Sequence, residues 1–461
     1  MSIDFPKNWK QVVLEDALDA LIDYRGKTPK KVDKGIPLIT AKVVKSGRIL
    51  PMDEFIADED YESWMVRGIP QISDIVVTTE APLGEVAQIK NANVALAQRI
   101  VTLRGKVDFL ENDFLLFLMQ SDFVQNQLEA RATGSTVKGI KQSELRKIIL
   151  PIPPIVEQKC IGKILSDLDD KIHLNNQINQ SLESIAQAIF KSWFVDFEPV
   201  RAKIAAKQEG KDPERAAMCV ISGKSEEDLK QMAEDDLAEL RATASLFPDE
   251  LVESELGEVP KGWFKTDLSI LADLNVQSWT KKNCPEKVTY VDLSNTKWGV
   301  IQQTEEFIFE KAPSRARRVL KIGDTIVGTV RPANGSYAFI QRENLTGSTG
   351  FAVLSPKHKN YAEFIYIVAT DKENIKRLAH LADGGAYPAV SYDTVLNTPC
   401  VLPIENKDGV LNLFHKNVKE FYLLSASKFE ENNILASIRD TLLPKLLSGE
   451  LDVSGLQGEG A

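Results

Sequence analysis

Apolar positions recur along this chain at two different periods, and each period occurs twice. From Glu157 to Phe197, the residues Ile161, Leu165, Leu168, Ile172, Ile178, Leu182, Ile185 and Ile189 follow the three-four alternation of a helix that packs along one seam. Gly162 is the only glycine in that stretch and proline is absent. The pattern predicts one helix on the order of 60 Å long, at ~1.5 Å per residue. A second seam runs from about Leu411 to Leu443 through Val418, Phe421, Leu424, Leu435, Ile438 and Leu442, and Pro444 is expected to bend or end it. Asn175 and Asn179, and later Asn432 and Asn433, interrupt the seams, where polar residues can fix pairing register. A stripe this long has too few neighbours inside one compact domain, whereas two stripes in one chain satisfy each other.

The other period is that of strands. IPQISDIVVTTEAPLGEVAQI (69–89) places Asp74 in a turn, then a β-branched strand, a glycine-containing turn and a second strand; VLKIGDTIVGTVRPANGSYAFI (319–340) repeats the plan around Asp324. The two aspartates stand 250 residues apart, as do Thr133-Gly134-Ser135 and Asp383-Gly384-Gly385. Each glycine turn leads to an Ile-Leu-Pro-Ile or Val-Leu-Pro-Ile strand at Pro151 or Pro403, and a Pro-Lys-x-Trp opening precedes each copy, at Trp9 and Trp263. The chain therefore reads as an internal repeat. Its expected class is α+β: two similar α/β units joined by two long antiparallel helices, with pseudo-twofold symmetry. The expected division is a first unit over 1–154, the first long helix over 155–198, a charged helical connector over 199–247, a second unit over 248–404, and the second helix with a C-terminal tail over 405–461. LFPDELVESELGEVPKGW reads as an extended lead into the second unit.

Composition narrows the class. A chain of 461 residues exceeds one ordinary core, and 43% apolar with 26% charged residues is a soluble globular mix. No apolar run is long enough to span a bilayer, and MSIDFPKNWKQVV lacks the features of a signal peptide. Cys160, Cys219, Cys284 and Cys400 lie far apart and read as reduced thiols, so a cytoplasmic protein is expected. The net charge of -10 is unevenly placed. Residues 224–240 are strongly acidic, while Arg315, Arg317, Arg318 and Lys321, and Arg131, Lys138, Lys141, Arg146 and Lys147, form basic clusters. Phosphates sense such a face within a Debye length, although the negative total implies modest nucleic-acid affinity for the chain alone.

Catalytic constellations do not emerge. Gly26-Lys27-Thr28 and Gly223-Lys224-Ser225 match the end of a phosphate-binding loop, but Leu21 and Met218 stand where it requires glycine. His173, His358, His380 and His415 have no zinc-ligand spacing. Neither a GxSxG elbow nor a GxGxxG turn after a strand is present, nor the Asn-Pro-Pro-aromatic motif of amino-methyltransferases. Asp235-Asp236 reads as a solvated helix face. No catalytic residue and no metal ligand is assigned.

Several blocks resemble the specificity subunits of Type I restriction–modification enzymes: IDYRGKTPKK (22–31), SDIVVTTEAPLGEVAQI (73–89), ATGSTVKGIKQSELRKIILPIPPIVEQKCIGKILSDLDDKI (132–172), SLESIAQAIFKSWFVDFEPVRAK (181–203), ELGEVPKGW (255–263) and IRDTLLPKLLSGEL (438–451). The resemblance implies a non-catalytic reader of double-stranded DNA. Two target-recognition domains would each read half of a bipartite site, and the helices would act as a ruler that docks two methyltransferase subunits. Restriction subunits would join the same assembly, and S-adenosylmethionine, ATP and Mg would belong to the partners, with no cofactor on this chain and no membrane. The competing expectation is a coiled-coil scaffold that binds protein or carbohydrate through its two units.

Base reading needs donors and acceptors on loops or strand ends, and phosphate positioning needs Lys, Arg and small hydroxyls. The candidate DNA contacts in the first unit are Arg25, Lys27, Thr28, Thr78, Thr79, Glu80, Ser135, Thr136, Lys138 and Lys141. In the second unit they are Thr329, Arg331, Asn334, Ser336, Tyr337, Ser348, Thr349 and Tyr387, with Arg331 suited to guanine and Asn334 to adenine. Trp193, Phe194 and Phe197 are the candidate subunit-docking residues. The two copies differ at their loop tips (RPANG against APLG, ADGGAYPAV against ATGSTVKGI), as expected if two units on one framework read different bases.

Overall fold

Ile75–Thr79 is apolar or β-branched at every position, and all five residues are buried because both faces of the strand are covered. Ile75 and Val77 enter a core with Phe114, Leu118 and Leu128, while Val76 enters another with Leu38, Ile39 and Ala95. In this computed structural model, residues 5–45, 47–135, 137–254, 257–385, 387–453 and 455 are described. The chain forms two compact units, Met1–Asn176 with Phe429–Ala461, and Gln177–Lys428.

In unit 1 the strand belongs to a four-stranded antiparallel sheet, ordered Leu18–Asp23, Ile100–Gly105, Ile75–Thr79, Leu83–Gln88. Helices Asn112–Gln120 and Asp122–Arg131 belong to the first core, and the second helix starts where the Ser121 side chain accepts the Val124 N–H. On the other side lies a small sheet in which Ile36–Ile39 pairs in parallel with Ala95–Leu96 and antiparallel with Phe55–Ile56. The opening strand Lys10–Val13 pairs with Ile149–Ile152.

Unit 2 repeats this frame. Its sheet runs Ala272–Leu274, Phe351–Pro356, Thr325–Gly328, Tyr337–Phe339, and its helices Ala362–Thr370 and Lys372–Leu381 stand 250 residues after their counterparts. Trp263–Asp267 pairs with Pro399–Pro403, as the opening strand of unit 1 does. The second sheet is larger here. A parallel pair, Lys287–Val291 with Leu345–Ser348, is flanked by Glu305–Ile308 and Ala316–Leu320.

The two long helices are Ile155–Phe194 and Lys407–Leu447, and the boundary between the units cuts each of them internally. In unit 1 they run antiparallel: Asp169 meets Arg439 at 2.8 Å, and Asn175 donates to Asn432 at 2.9 Å, which in turn donates to Asn176 at 2.9 Å. In unit 2 the seam is aromatic, with Phe190, Trp193 and Phe194 around Phe414. Pro444 does not end the second helix, which continues to Leu447. Proline removes one N–H, and burial of Leu446 and Leu447 in the core of unit 1 holds the last turn in place.

The connector folds as Glu198–Gln208, Pro213–Ser222, Glu226–Lys230 and Glu234–Ser245 around Ala217, Met218, Leu229 and Ala244. The second phosphate-loop lookalike is spent on helix ends here: Gly223 stops one helix at φ 66°, and Ser225 starts the next in a capping box with Asp228. The lead into the second repeat is a hairpin, Leu251–Ser254 against Gly257–Pro260, not a single extended run. Among the described residues, no helix is long and apolar enough to cross a membrane.

Candidate nucleic-acid interface

In unit 1 three loops converge beyond the end of the central strand. The first follows Leu18–Asp23: the Asp23 carboxylate accepts the Arg25 N–H at 2.8 Å, and Gly26 turns the chain at φ 84°. The Arg25 guanidinium then donates to the Ile140 carbonyl at 2.8 Å, which ties this loop to a second one. That second loop closes with mutual backbone bonds between Thr133 and Gly139, at 2.8 and 2.9 Å. Gly134 is required in it, because at φ 110° a Cβ would lie 2.1 Å from the Val137 carbonyl oxygen. The Ile140 N–H donates to the Thr79 carbonyl at 2.9 Å and fastens the loop to the strand. The third loop leaves Thr79 through Glu80, which pairs with Arg99 at 3.1 Å, and Ala81, which has φ 50°.

Of the candidates in this unit, Arg25, Lys27, Thr28, Ser135, Lys138 and Lys141 are exposed and Glu80 is half-buried. Lys138 pairs with Glu129. Thr136 lies outside the described residues. Thr78 and Thr79 must be corrected: both are buried, and the Thr78 hydroxyl accepts the Glu85 N–H at 2.9 Å. A strand covered on both faces turns its hydroxyls inward, away from any ligand.

Unit 2 repeats the loop closure and its tie to the central strand at the same offset. Val390 donates to the Thr329 carbonyl at 3.0 Å, and Asp383 and Ala389 close their loop at 3.1 and 2.8 Å. The turn after the central strand again begins with a left-handed residue, Arg331 at φ 48°, whose N–H donates to the Pro388 carbonyl at 2.7 Å. Its guanidinium carbon stands 4.5 Å from the centre of the exposed Tyr387 ring. Asn334 is exposed, and Gly335 follows it against Trp298, whose ring a Cβ would meet at 2.6 Å.

Arg331, Asn334 and Tyr387 are thus brought together at the surface, whereas Thr329, Ser336 and Ser348 are buried, a second correction. Thr329 donates to Gly350 O at 2.9 Å, Ser336 donates to Leu293 O at 2.9 Å, and Ser348 accepts the Gly350 N–H at 3.2 Å. Tyr337 is half-buried and packs edge-on against Trp298, and burial pushes its hydroxyl up to about 12. Thr349 is half-buried, with its carbonyl accepting from Tyr392 at 2.6 Å. Arg315 and Arg318 edge the second sheet, the first paired with Asp292 at 2.8 Å and the second over the Tyr392 ring.

The docking assignment of Trp193, Phe194 and Phe197 is also corrected. All three are buried inside unit 2, against Phe247, Phe364, Phe414 and Trp263, so these rings complete the chain's own core. Sequence reasoning missed Arg99 and Trp298. Their signal is a left-handed backbone at a non-glycine residue, φ 72° and 49°, which no residue pattern announces.

Comparison with known proteins agrees with this arrangement. Residues 6–184 match the family model described as Type I restriction modification DNA specificity domain. The chain is 30% identical over 379 residues to the Type I restriction enzyme HindI specificity subunit of Haemophilus influenzae, covering 78% of this chain and 82% of that one. It is 25% identical over 473 residues to the MjaIX specificity subunit of Methanocaldococcus jannaschii, covering 98% and 95%. The crystal structure of a Type-I restriction-modification system S subunit from M. genitalium shares the fold, with a TM-score of 0.54 at 15% identity over 97% of this chain and 98% of that one.

Proposed function

The chain belongs to the Type I restriction–modification specificity subunits, and on that premise we propose that each unit reads one half of a bipartite duplex site through the loops beyond its central strand. Recognition of DNA in partnership with a methyltransferase subunit, without catalysis by this chain, is the role of the family; the scaffold alternative has no support beside it. The observation that carries the two-head reading is the recurrence of one loop closure and its tie to the central strand at an offset of 250 residues, with different side chains at the tips: Glu80 and Arg99 in one unit, Arg331, Asn334 and Tyr387 in the other. A fixed frame with changed tips is what two readers of different bases require.

The finer assignments follow the same reading. Two methyltransferase subunits dock on the long helices, and restriction subunits join them. S-adenosylmethionine, ATP and Mg are held by those partners, and the complex works in the cytoplasm. Lys27, Thr28, Ser135, Lys138 and Lys141, with Thr136, serve phosphates, while Glu80, Arg331 and Asn334 face bases.

The test is binding by the complex co-expressed with its methyltransferase subunit, using a pool of random duplexes at fixed salt. Enrichment of two separated half-sites is expected. A complex that takes random duplex as well as any selected sequence overturns the proposal.

A further inference from the structure

Both units place a left-handed residue at the start of the turn beyond the central strand, Ala81 in one and Arg331 in the other. A non-glycine residue in that conformation is strained and persists only where its surroundings over-determine it. Around Arg331 they do so: its N–H is held by Pro388, its carbonyl accepts the Asn334 N–H at 2.9 Å, and the next-door Val330 forms a bridge with Ala389. An alanine in this conformation presents nothing to a ligand. The arginine presents a guanidinium, and the Tyr387 ring, 69% exposed, lies 4.5 Å beneath it.

An exposed tyrosine on a loop tip is poorly explained by packing, because most of its ring is in water. Stacked under a guanidinium, it removes rotamer freedom from a long side chain before any ligand arrives. The planar N–H fork is the group that bonds the O6 and N7 edge of guanine in two places. We infer that Arg331, braced by Tyr387, is the specificity-determining residue of unit 2 and reads a guanine in the major groove, with Tyr387 as its positioning residue. Unit 1, with alanine at the matching turn, has no such reader there. This inference rests on the proposed DNA-reading role and adds to it a residue, a base and an asymmetry between the half-sites.

The experiment compares the methyltransferase complexes of the parent chain, Arg331→Lys, Arg331→Gly, Tyr387→Phe and Tyr387→Leu in the same duplex selection, together with the salt dependence of binding. Arg331→Gly suits the left-handed backbone and so removes the side chain without adding strain. Arg331→Lys keeps the charge and loses the fork. Both are expected to lose preference for guanine at one position of one half-site, on the order of 10- to 100-fold. The other half-site should be unchanged, and the Lys variant should keep the parent salt slope. Tyr387→Phe should keep the preference, and Tyr387→Leu should lower it. Uniform weakening on all sequences with a shallower salt slope would make Arg331 a phosphate contact and overturn the inference. So would unchanged preference in both Arg331 variants, or equal preference in the Phe and Leu variants. A parent complex with no sequence preference would instead overturn the DNA-reading role beneath it.

Discussion

The two units solve one structural problem differently. Each begins its central strand from a turn in which a buried aspartate accepts a backbone N–H three residues earlier, Gln71 to Asp74 at 2.8 Å and Lys321 to Asp324 at 2.9 Å. In unit 1, Arg104 from the neighbouring strand clamps Asp74 with two bonds of 2.8 Å, the pair being 18% and 1% exposed. The matching strand of unit 2 carries Ser355, whose hydroxyl tempers the rise of the Asp324 carboxyl without bringing a charge. Burial accordingly lifts the Asp324 carboxyl above the ordinary carboxylate range. The turn needs an acceptor in both units, and in unit 1 an arginine clamps that acceptor.

The largest expected effect concerns the aromatic seam. Trp193→Ala should destabilise the protein by about 4 kcal/mol and Leu446→Ala, at the aliphatic helix end in unit 1, by about 3 kcal/mol, read by urea unfolding. Normal stability of Trp193→Ala with loss of the methyltransferase subunit would restore the docking role.

The aspartates come next. Asp74→Asn strands Arg104 in a largely buried position and should cost about 3 kcal/mol, whereas Asp324→Asn keeps the acceptor and should stay within about 0.5 kcal/mol. Equal losses in the two variants would erase the contrast.

A smaller effect is expected with pH. A carboxyl whose folded pKa is raised binds its proton more tightly in the folded state. Asp324 therefore contributes a loss of stability as pH rises from the unfolded value near ~3.9 through its raised folded value. The difference in melting temperature between Asp324→Asn and the parent should grow across that window in favour of the variant, and a flat difference would refute the assignment.

The smallest effect belongs to the exposed cations. Lys27→Ala should weaken binding of the methyltransferase complex on all sequences alike and flatten the slope of log affinity against log salt by about 0.9. A change of preferred bases would move Lys27 from phosphate to base contact.

The contrast also shows how far side-chain roles can be read from a chain. Thr78, Thr79, Thr329, Ser336 and Ser348 were credible base contacts because a hydroxyl beside a glycine turn suits either surface or interior. For Thr78 and Thr79 the second sheet decided it, by covering the other face of the strand; Ser348 lies in the second sheet of unit 2 itself, and Thr329 and Ser336 turn inward to the Gly350 and Leu293 carbonyls. Arg25, Lys27 and Lys138 were easier, since long charged side chains at turns rarely bury. Trp193, Phe194 and Phe197 are recognisable as a contact face, but what they contact comes from residues 54 to 221 positions further along.

The periodicities, the 250-residue repeat, the paired seams and the family blocks are local or self-referential, so the sequence alone determined the two-unit α+β plan and the class of partner. The tertiary structure decided which of the small polar side chains face inward, how Arg331 is braced by Tyr387, and that Arg104 guards one aspartate while Ser355 serves the other. Those facts depend on residues far apart in the chain meeting at bond distance, and hydrophobic pattern specifies faces, not partners.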